Sequence, residues 1–278
     1  MATGLETVVS VITVCYNAEK YIQGVLETVL HQTYDNYEYV IKDGDSSDRT
    51  NEIIEEYKKL FEEKGIAVKH LVSKDKGIYD AMNEAVTHCS GTWVNFMNAD
   101  DRYFTDDVLR HVFEENTYNE ADILYGDAVE AEFGNYYPYP KHMDEIKHKM
   151  PFSHQSCFIK TTLMQEVPYD LNYRIGADYD FLLKSYLNGK KFVHVEEIVC
   201  IVCREGVSTV NLKEAFLEGR TIREKYGIIE MTEQQFKRKM VFVNIKQFGM
   251  NHFPQWLINL IRRYQRITRG QNQKVIRG

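Results

Sequence analysis

Two adjacent carboxylates stand near the middle of the sequence, directly after a short apolar run. Asp100 and Asp101 end the segment Asn98-Ala99-Asp100-Asp101, which follows the run Thr92–Met97. Carboxylate oxygens are the ligands that hard divalent cations such as Mg²⁺ and Mn²⁺ prefer, and these ions also bridge substrate phosphates. The pair therefore predicts a divalent-metal site, although an acidic turn that caps the next helix would use the same residue types.

A second acidic turn, Asp43-Gly44-Asp45, follows another apolar run, Tyr37–Ile41. An aspartate at the end of a strand can accept hydrogen bonds from a nucleotide base or a ribose hydroxyl. Asp and Gly are also favoured in turns for conformational reasons alone. Both interpretations stay open for this segment, and the metal site at Asp100 and Asp101 gains weight because Asp43 and Asp45 end a strand that is predicted in the same sheet.

Alternating strand and helix patterns must position these acidic turns. Apolar, β-branched runs predict strands, and apolar residues at helical spacing predict the helices between them. In the first half, strands are predicted over 8–16, 37–41, 66–72 and 92–97, and helices over 18–31, from the cap candidates at 46–48 to about 64, and over 77–89. This alternation predicts right-handed crossovers and a mostly parallel sheet, with ligand groups gathered where the carboxyl ends of the strands meet loops.

The second half is less regular. Strands are predicted over 123–129, 152–159 and 192–202, a strand or extended loop over 136–140, and helices over 106–115 and 179–187. Beyond Asn211 the pattern is helical, and Pro254 interrupts it.

The composition is that of an ordinary globular protein. The 278 residues are 44% hydrophobic, 27% charged and 13% aromatic, which excludes a disordered chain. No stretch approaches the roughly 20 apolar residues of a membrane-spanning helix, and no basic segment precedes the first apolar run, so no signal peptide is predicted. The five cysteines are scattered, which favours free thiols in a reducing cytosol over a disulfide framework.

The net charge of −7 hides an asymmetry along the chain. Residues 1–210 carry 20 basic and 36 acidic residues, whereas residues 211–278 carry 14 basic and 5 acidic residues. From Lys237 to the last residue there are ten basic residues and no acidic one. The acidic body excludes a broad nucleic-acid-binding face, while the basic tail could meet an anionic surface.

Four segments in order carry a resemblance to a known family. The set VSVITVCYN, VIKDGDSSDRT, SKDKGIYDAMNEA and FMNADD resembles the family 2 glycosyltransferases, which are inverting, metal-dependent enzymes of the GT-A fold that use nucleotide sugars. The likeness runs from about residue 8 to 104 and continues more loosely through FSHQSCFIK and RIGADYDFLLK to about 208. The last seventy residues lie outside it.

The resemblance implies a nucleotide-sugar site and places it residue by residue. The residues implied to bind the donor are Thr13, Tyr16, Asn17, Asp43, Asp45, Lys76, Gly77, Asp80, Asn83, Asn98 and Asp100. Asp100 and Asp101 match the acidic pair that holds the metal, Mn²⁺ or Mg²⁺. The family's Asp-x-Asp begins here with Asn98, which keeps an acceptor oxygen but lacks the charge.

The resemblance also implies a catalytic base. Many relatives carry a Glu-Asp pair where this chain has Ala177-Asp178, so the surviving carboxylate is Asp178. An inverting transfer needs one base to take the proton of the acceptor hydroxyl, and no covalent nucleophile. A helix-capping role for Asp178 is the structural alternative, and Asp180 is the rival base.

Three further side chains are assigned to the acceptor or diphosphate. His154 and Gln155 resemble a His-Gln pair that many relatives carry between the two halves, and Arg204 could bind a phosphate through two guanidinium hydrogen bonds. A structural histidine and a surface arginine are the alternatives. Cys200 and Cys203 have the spacing of a zinc knuckle, but the chain lacks a second pair, so buried thiols are the favoured interpretation.

The tail is predicted to be a basic helix with an apolar, aromatic segment. The segment Phe253–Ile261 precedes Arg262, Arg263, Arg266 and Arg269. Such a helix can lie in a membrane interface with its arginines on anionic headgroups, or it can pack on the body of the protein.

The sequence thus predicts an α/β fold of the GT-A (Rossmann-like) type, with a mixed, mostly parallel sheet flanked by helices. Residues 1–210 form the transferase domain, divided into a donor half, 1–102, and an acceptor half, 103–210, and residues 211–278 form a basic helical extension. The predicted reaction is transfer of a sugar, with UDP as the favoured carrier, to a cell-surface glycan or lipid-linked acceptor at the inner face of the cytoplasmic membrane. The alternatives are a catalytically silent glycan- or lipid-binding scaffold and a nucleotidyltransferase, although the glycine-rich phosphate loop of the latter is missing after the first strand.

Overall fold

A single mixed β-sheet forms the centre of the molecule. The computed structural model describes residues 8–114, 118–132, 135–138, 141–202, 211–254, 256–258, 260, 261 and 264. The strands are β1 (Val9–Cys15), β2 (Tyr37–Asp43), β3 (Ala67–Val72), β4 (Trp93–Phe96), β5 (Arg102–Tyr103), β6 (Ile123–Glu132), β7 (Asn135–Pro138), β8 (Cys157–Lys160) and β9 (Phe192–Val202). Their order in the sheet is β3-β2-β1-β4-β8-β6-β9-β5, and β7 pairs with β6.

Helices cover both faces of this sheet. They are α1 (Ile22–Leu30), α2 (Thr50–Lys64), α3 (Ile78–Thr87), α4 (Val108–Phe113), α5 (Thr161–Glu166), α6 (Ala177–Leu187), α7 (Leu212–Lys225) and α8 (Glu233–His252). Short 3₁₀ turns occupy Met143–Glu145 and His154–Ser156.

The apolar runs of the first half form buried parallel strands. β1 and β2 are buried along their whole length, and β1 pairs in parallel with both β2 and β4. Alternate residues of β1 enter opposite cores: Val11 packs with α1 and α2, and Ile12 packs with α3 and α6. The four predicted strands are confirmed, and their carboxyl ends meet at one edge of the sheet.

The second half differs in detail from the sequence prediction. The strand predicted over 152–159 is shorter, because residues 154–156 turn as a 3₁₀ helix and β8 begins only at Cys157. The hydroxyl of Ser156 donates to the carbonyl of Ser153, 2.9 Å away, which favours the turn over an extended chain. β8 pairs antiparallel with β4 and β6, so the sheet is mixed, as predicted.

The two C-terminal helices differ in how they pack. Ile222 of α7 is fully buried in the core beside α6, so α7 is part of the body. α8 contacts α7 but has no buried residue. Within the described ranges, none of the helices combines the length and the apolar character needed to cross a bilayer.

Candidate active site

A pocket of about 490 Å³ opens where β4 ends. Its walls come from the turn after β4, the start of α3, the 3₁₀ turn at 154–156, the segment 174–179, and helices α7 and α8. Strand ends on one side and C-terminal helices on the other therefore enclose the same cavity. Open α/β sheets bind ligands at this edge.

The acidic pair lines this pocket. Asp100 is exposed, whereas Asp101 is only 2% exposed and accepts a hydrogen bond from Gln155 Nε2 at 3.0 Å. Burial, together with the charge of Asp100, raises the pKa of Asp101 to about 7. A bound cation would relieve both effects, so the pair fits a cation site.

Asn98 adds an oxygen that lacks a protein partner. The side chain is 7% exposed and lines the pocket, and its Oδ1 is buried with no hydrogen bond. A buried polar atom of this kind is costly unless a ligand or water satisfies it. Among the described residues no three His, Cys, Asp or Glu side chains form a metal cluster. Asn98, Asp100 and Asp101 therefore fit a hard divalent cation that takes its other ligands from substrate phosphate and water.

Asp178 enters the pocket from the first turn of α6. Its Oδ1 accepts from the hydroxyl of Tyr79 at 3.1 Å and from the backbone N–H of Tyr179 at 2.8 Å. Its Oδ2 lies 3.2 Å from His154 Nδ1. The N-cap residue of α6 is Gly176, so Asp178 does not occupy the capping position. Its second oxygen lies beside the pocket, and this arrangement suits a carboxylate that exchanges a proton with a bound molecule.

His154 connects this carboxylate to the acidic turn. Its Nδ1 faces Asp178, and its Nε2 lies 3.5 Å from the amide nitrogen of Asn98. Burial opposes a charge on the ring, but the hydrogen bond and charge of Asp178, with the charges of Asp101 and Asp100, outweigh it and raise the pKa of His154. In its protonated form the ring would balance part of the negative charge of the pocket.

The strand β4 itself positions the His154 turn. Asn95 is buried in β4, and its side-chain N–H groups donate to the carbonyls of Gln155 at 2.9 Å and Cys157 at 2.8 Å. Tyr103 donates to Asn95 Oδ1 at 2.8 Å. This amide therefore fixes the turn that carries His154 and Gln155.

Asp180, the rival base, lies outside the pocket. Its carboxylate is buried and accepts from Lys225 Nζ at 3.0 and 3.1 Å and from the hydroxyl of Tyr226 at 3.1 Å. Two residues along a helix are rotated by about 200°, so Asp178 and Asp180 face opposite sides. The structure therefore gives Asp180 a packing role between α6 and α7.

The loops after β1 and β2 meet beside each other. Asp43 is buried and accepts from the backbone N–H of Ser46 at 2.6 Å and from Asn51 Nδ2 at 3.2 Å, and it accepts from the Ser46 hydroxyl as well. Asn17 Oδ1 accepts from the Ser47 N–H at 2.9 Å. Asp43 thus fixes the loop after β2, and Asn17 joins that loop to the one after β1.

Two neighbouring candidates in these loops are open to solvent. The Tyr16 side chain is 65% exposed, and Asp45 is exposed with a φ of 68°. Neither lines the cavity at β4. Their position at the same sheet edge is the one that a nucleotide base would use.

The remaining donor candidates divide into internally bonded and exposed side chains. The Thr13 hydroxyl donates to the carbonyl of Met97 at 2.6 Å, and both ends of the Asn83 amide bond the backbone of Tyr169 at 2.9 Å. Lys76 and Gly77 are exposed at the start of α3, where Asp80 Oδ2 accepts from the Lys76 N–H at 2.9 Å. Thr13 and Asn83 therefore support the site's framework in this structure.

Two buried polar side chains near this edge of the sheet, Tyr79 and Lys42, were not predicted from the sequence to have a role. Tyr79 was not singled out from the sequence, yet its hydroxyl bonds Asp178 and the carbonyl of Ile175. Lys42 is also fully buried. A lysine inside the mostly apolar strand β2 was a signal in the sequence, because a buried lysine needs partners for its charge. Arg204 and Cys203 lie outside the described residues, as do Arg262, Arg263, Arg266 and Arg269.

Comparison with known proteins adds to this geometry. The family model described as glycosyl transferase family 2 matches residues 10–177. A PGL/p-HBAD biosynthesis glycosyltransferase of Mycobacterium bovis is 28% identical over 223 residues, which cover 79% of this chain and 86% of that protein.

Solved structures show the same fold at lower identity. TarS 1–349 of S. aureus in complex with UDP-GlcNAc aligns with a TM-score of 0.62 and 20% identity, covering 87% of this chain and 72% of that one. The same fragment in its complex with UDP aligns with a TM-score of 0.59 and 20% identity, and the match covers 77% of this chain and 65% of that one. The mannosyltransferase PcManGT of Pyrobaculum calidifontis, in complex with GDP-Man and Mn²⁺, aligns with a TM-score of 0.62 and 16% identity. The match covers 88% of this chain and 70% of that one. The fold is that of GT-A glycosyltransferase structures.

Proposed function

This chain belongs to glycosyl transferase family 2, and from that premise we propose that it transfers a sugar from a nucleoside-diphosphate sugar to a growing surface glycan or lipid-linked acceptor, with inversion at the anomeric carbon. The observation that carries the proposal is the meeting of Asp178 and the acidic turn in one pocket, joined through His154. An inverting, metal-dependent transfer needs a base for the acceptor and a cation site for the diphosphate, and in this proposal Asp178 and the acidic turn supply them.

The proposed donor is a UDP-sugar. The neighbouring TarS structures contain UDP and UDP-GlcNAc, and PcManGT contains GDP-Man, so the fold accommodates either base. We place the base beside Tyr16, Asn17 and Asp45, at the carboxyl ends of β1 and β2, and the diphosphate towards Asp100. This path follows one edge of the sheet.

A divalent metal would be held by Asn98, Asp100 and Asp101. When bound, it would stabilise the negative charge of the departing diphosphate. The Mn²⁺ of PcManGT supports this use of the same fold.

Asp178 is the proposed general base. Its carboxylate takes the proton of the acceptor hydroxyl while that oxygen forms a bond to the anomeric carbon from the face opposite the departing diphosphate. The bond between the anomeric carbon and the diphosphate oxygen breaks, and the diphosphate leaves with the electron pair. Tyr79 and His154 hold the carboxylate from two sides, so the proton acceptor is fixed before the substrate arrives.

The acceptor is proposed to be a glycan or glycolipid of the cell surface. The mycobacterial relative is named for PGL/p-HBAD biosynthesis, which supports this class of acceptor.

The C-terminal helix is proposed to hold the enzyme on an anionic membrane surface, at the cytoplasmic side. Its exposed side chains include Val241, Phe242, Ile245 and Phe248, and Trp256 follows with 67% exposure. From Lys237 onward the sequence has ten basic residues and no acidic one. Two copies of such a tail would repel each other, whereas anionic headgroups attract it and lipid covers its apolar side chains.

A nucleotide-binding screen tests the central part of the proposal. UDP, GDP and dTDP, each with and without Mn²⁺, would be followed by thermal shift and calorimetry on the wild type, Asp100→Ala and Asp106→Ala. Asp106 is exposed and lies outside the pocket, so its substitution is the matched control. We expect one nucleotide to raise the melting temperature only with Mn²⁺, and we expect Asp100→Ala alone to lose the response. Failure of all three nucleotides to bind would favour the scaffold alternative.

A further inference from the structure

The carboxylate of Glu218, on α7, binds three consecutive backbone N–H groups of another segment. Its Oε1 accepts from Arg174 at 2.9 Å, and its Oε2 accepts from Ile175 at 2.9 Å and from Gly176 at 2.8 Å. Hydrogen bonds to an ionised carboxylate are about twice as strong as those between neutral groups. Glu218 therefore fixes residues 174–176 against α7.

This segment leads directly into the first turn of α6. Gly176 is the N-cap residue, and it has no side chain to satisfy the free N–H groups at the helix start. The negative charge of Glu218 lies at the positive end of the helix dipole, which adds to the stabilisation. Glu218 thus places a carboxylate just ahead of the first turn of α6, where it binds the N–H groups of the N-cap residue and of the two residues before it.

The same segment is held from its other side. The Tyr79 hydroxyl donates to the carbonyl of Ile175 and also reaches Asp178. A side chain at position 176 would meet Ile222 of α7, since a Cβ there would lie 2.9 Å from its Cδ1 atom. The backbone before Asp178 is therefore clamped between α3 and α7, with close packing on the α7 side.

We propose that Glu218 is the positioning residue for Asp178, and that α7 is thereby an integral part of the active centre. The inference rests on the proposed function, in which Asp178 is the base. Glu218 lies about forty residues beyond the end of the family match at 177, so the family pattern does not assign it this role. A shift of about 1 Å in the position of a catalytic group can reduce the rate about 100-fold.

The test compares Glu218→Ala and Glu218→Gln with Glu214→Ala. Glu214 is exposed, lies one turn earlier on α7 and does not line the pocket, so its substitution controls for the loss of a carboxylate from this helix. Amide hydrogen exchange of residues 174–176 and of Tyr179, whose N–H binds Asp178, reports the clamp without any substrate. Nucleoside diphosphate release from UDP-glucose, UDP-N-acetylglucosamine and GDP-mannose reports kcat and KM.

We expect Glu218→Ala to exchange at least about tenfold faster at 174–176 and at Tyr179. We also expect its kcat to fall about 10- to 100-fold while KM for the donor stays within about twofold. Glu218→Gln keeps one acceptor oxygen, so it should recover part of kcat, and Glu214→Ala should match the wild type.

Two results would overturn the proposal: unchanged exchange at Tyr179 in Glu218→Ala, or an unchanged kcat despite faster exchange. If the wild type releases no nucleotide from any donor, the proposed function fails instead. In that case exchange at Tyr179 alone decides whether Glu218 fixes Asp178.

Discussion

Asn98 occupies the first position of the acidic turn. A carboxylate there would attract a metal ion more strongly than this neutral amide does. Its Oδ1 is buried without a protein partner, next to an Asp101 whose pKa is already raised to about 7. A carboxylate at this buried position would add to the repulsion that raises this pKa. The amide therefore supplies an oxygen ligand without that cost.

The first prediction concerns this amide. In Asn98→Asp, we expect a lower melting temperature without metal and a larger increase on addition of Mn²⁺ than in the wild type, because a cation would offset the added charge. Thermal shift with and without Mn²⁺ measures both effects. Asn98→Ala, which removes the oxygen, should show a smaller Mn²⁺ response than the wild type, and an equal response in all three proteins would contradict the role of Asn98.

Among single residues, those that could be predicted from the sequence are the ones whose role is indicated by their type and by their neighbours in the chain. Asp100 and Asp101 were predicted from residue type, adjacency to a strand and the family motifs, and Asp178 from the resemblance; the structure places all three in one pocket, and their roles stay predictions. Tyr79 and Glu218 were not found, because their roles depend on contacts with residues that are 96 and 42 to 44 positions away. Asp180 was considered because it is two positions from Asp178, but helical rotation places it on the opposite face.

Among the elements, the carboxyl end of β2 is held by a buried charge. Lys42 Nζ donates to the carbonyls of Asp43 at 3.0 Å and Ser73 at 2.5 Å, and it pairs with Asp75 at 3.4 Å and Glu84 at 3.6 Å. One side chain thus joins β2, the loop after β3, and α3. These are the elements that shape the proposed base-binding edge.

The second prediction follows from this network. Lys42→Met should lower the free energy of unfolding by about 1–3 kcal/mol, because the carbonyl of Ser73 loses this donor and the carboxylates of Asp75 and Glu84 lose their cation. Urea unfolding measures the change. Lys74→Met, at an exposed neighbouring position, should leave the midpoint unchanged, and an equally stable Lys42→Met would contradict the role assigned to the buried ammonium.

The elements of the first half were predicted well because β1, β2 and β4 are rich in apolar and aromatic residues and the helices between the strands carry apolar residues at helical spacing. The 3₁₀ turn at 154–156 was not predicted, since it depends on hydrogen bonds from Asn95 and Ser156 rather than on an apolar period. The segment after Asn211 was predicted to be helical, but its packing was not, and only the structure shows that α7 lines the pocket.

For the whole molecule, the separation of an acidic body from a basic tail has a consequence for binding. The third prediction is that the full chain sediments with vesicles of phosphatidylcholine and phosphatidylglycerol but not with phosphatidylcholine alone. Attraction to headgroups is screened by salt, so binding should weaken several-fold between about 0.05 and 0.5 M NaCl.

Apolar substitutions test the apolar contribution of the tail, and the lipid composition of the vesicles tests its charge. Phe242→Ser combined with Phe248→Ser should reduce vesicle binding because it removes exposed apolar surface, whereas Leu60→Ser, at an exposed position on α2, should not. Equal binding to neutral and anionic vesicles would contradict the electrostatic part of the proposal.

The role of Asp178 as the base of a sugar transfer in this pocket is tested by comparing Asp178→Asn with Asp180→Asn. The measurement is the rate of nucleoside diphosphate release from a nucleotide sugar, with Mn²⁺ present and with nucleotide binding checked by calorimetry. We predict that Asp178→Asn retains binding and loses about 100- to 10,000-fold in rate, the usual contribution of a general base, while Asp180→Asn loses stability but keeps its rate per folded molecule. A wild-type rate in Asp178→Asn, or a loss confined to Asp180→Asn, would contradict the account.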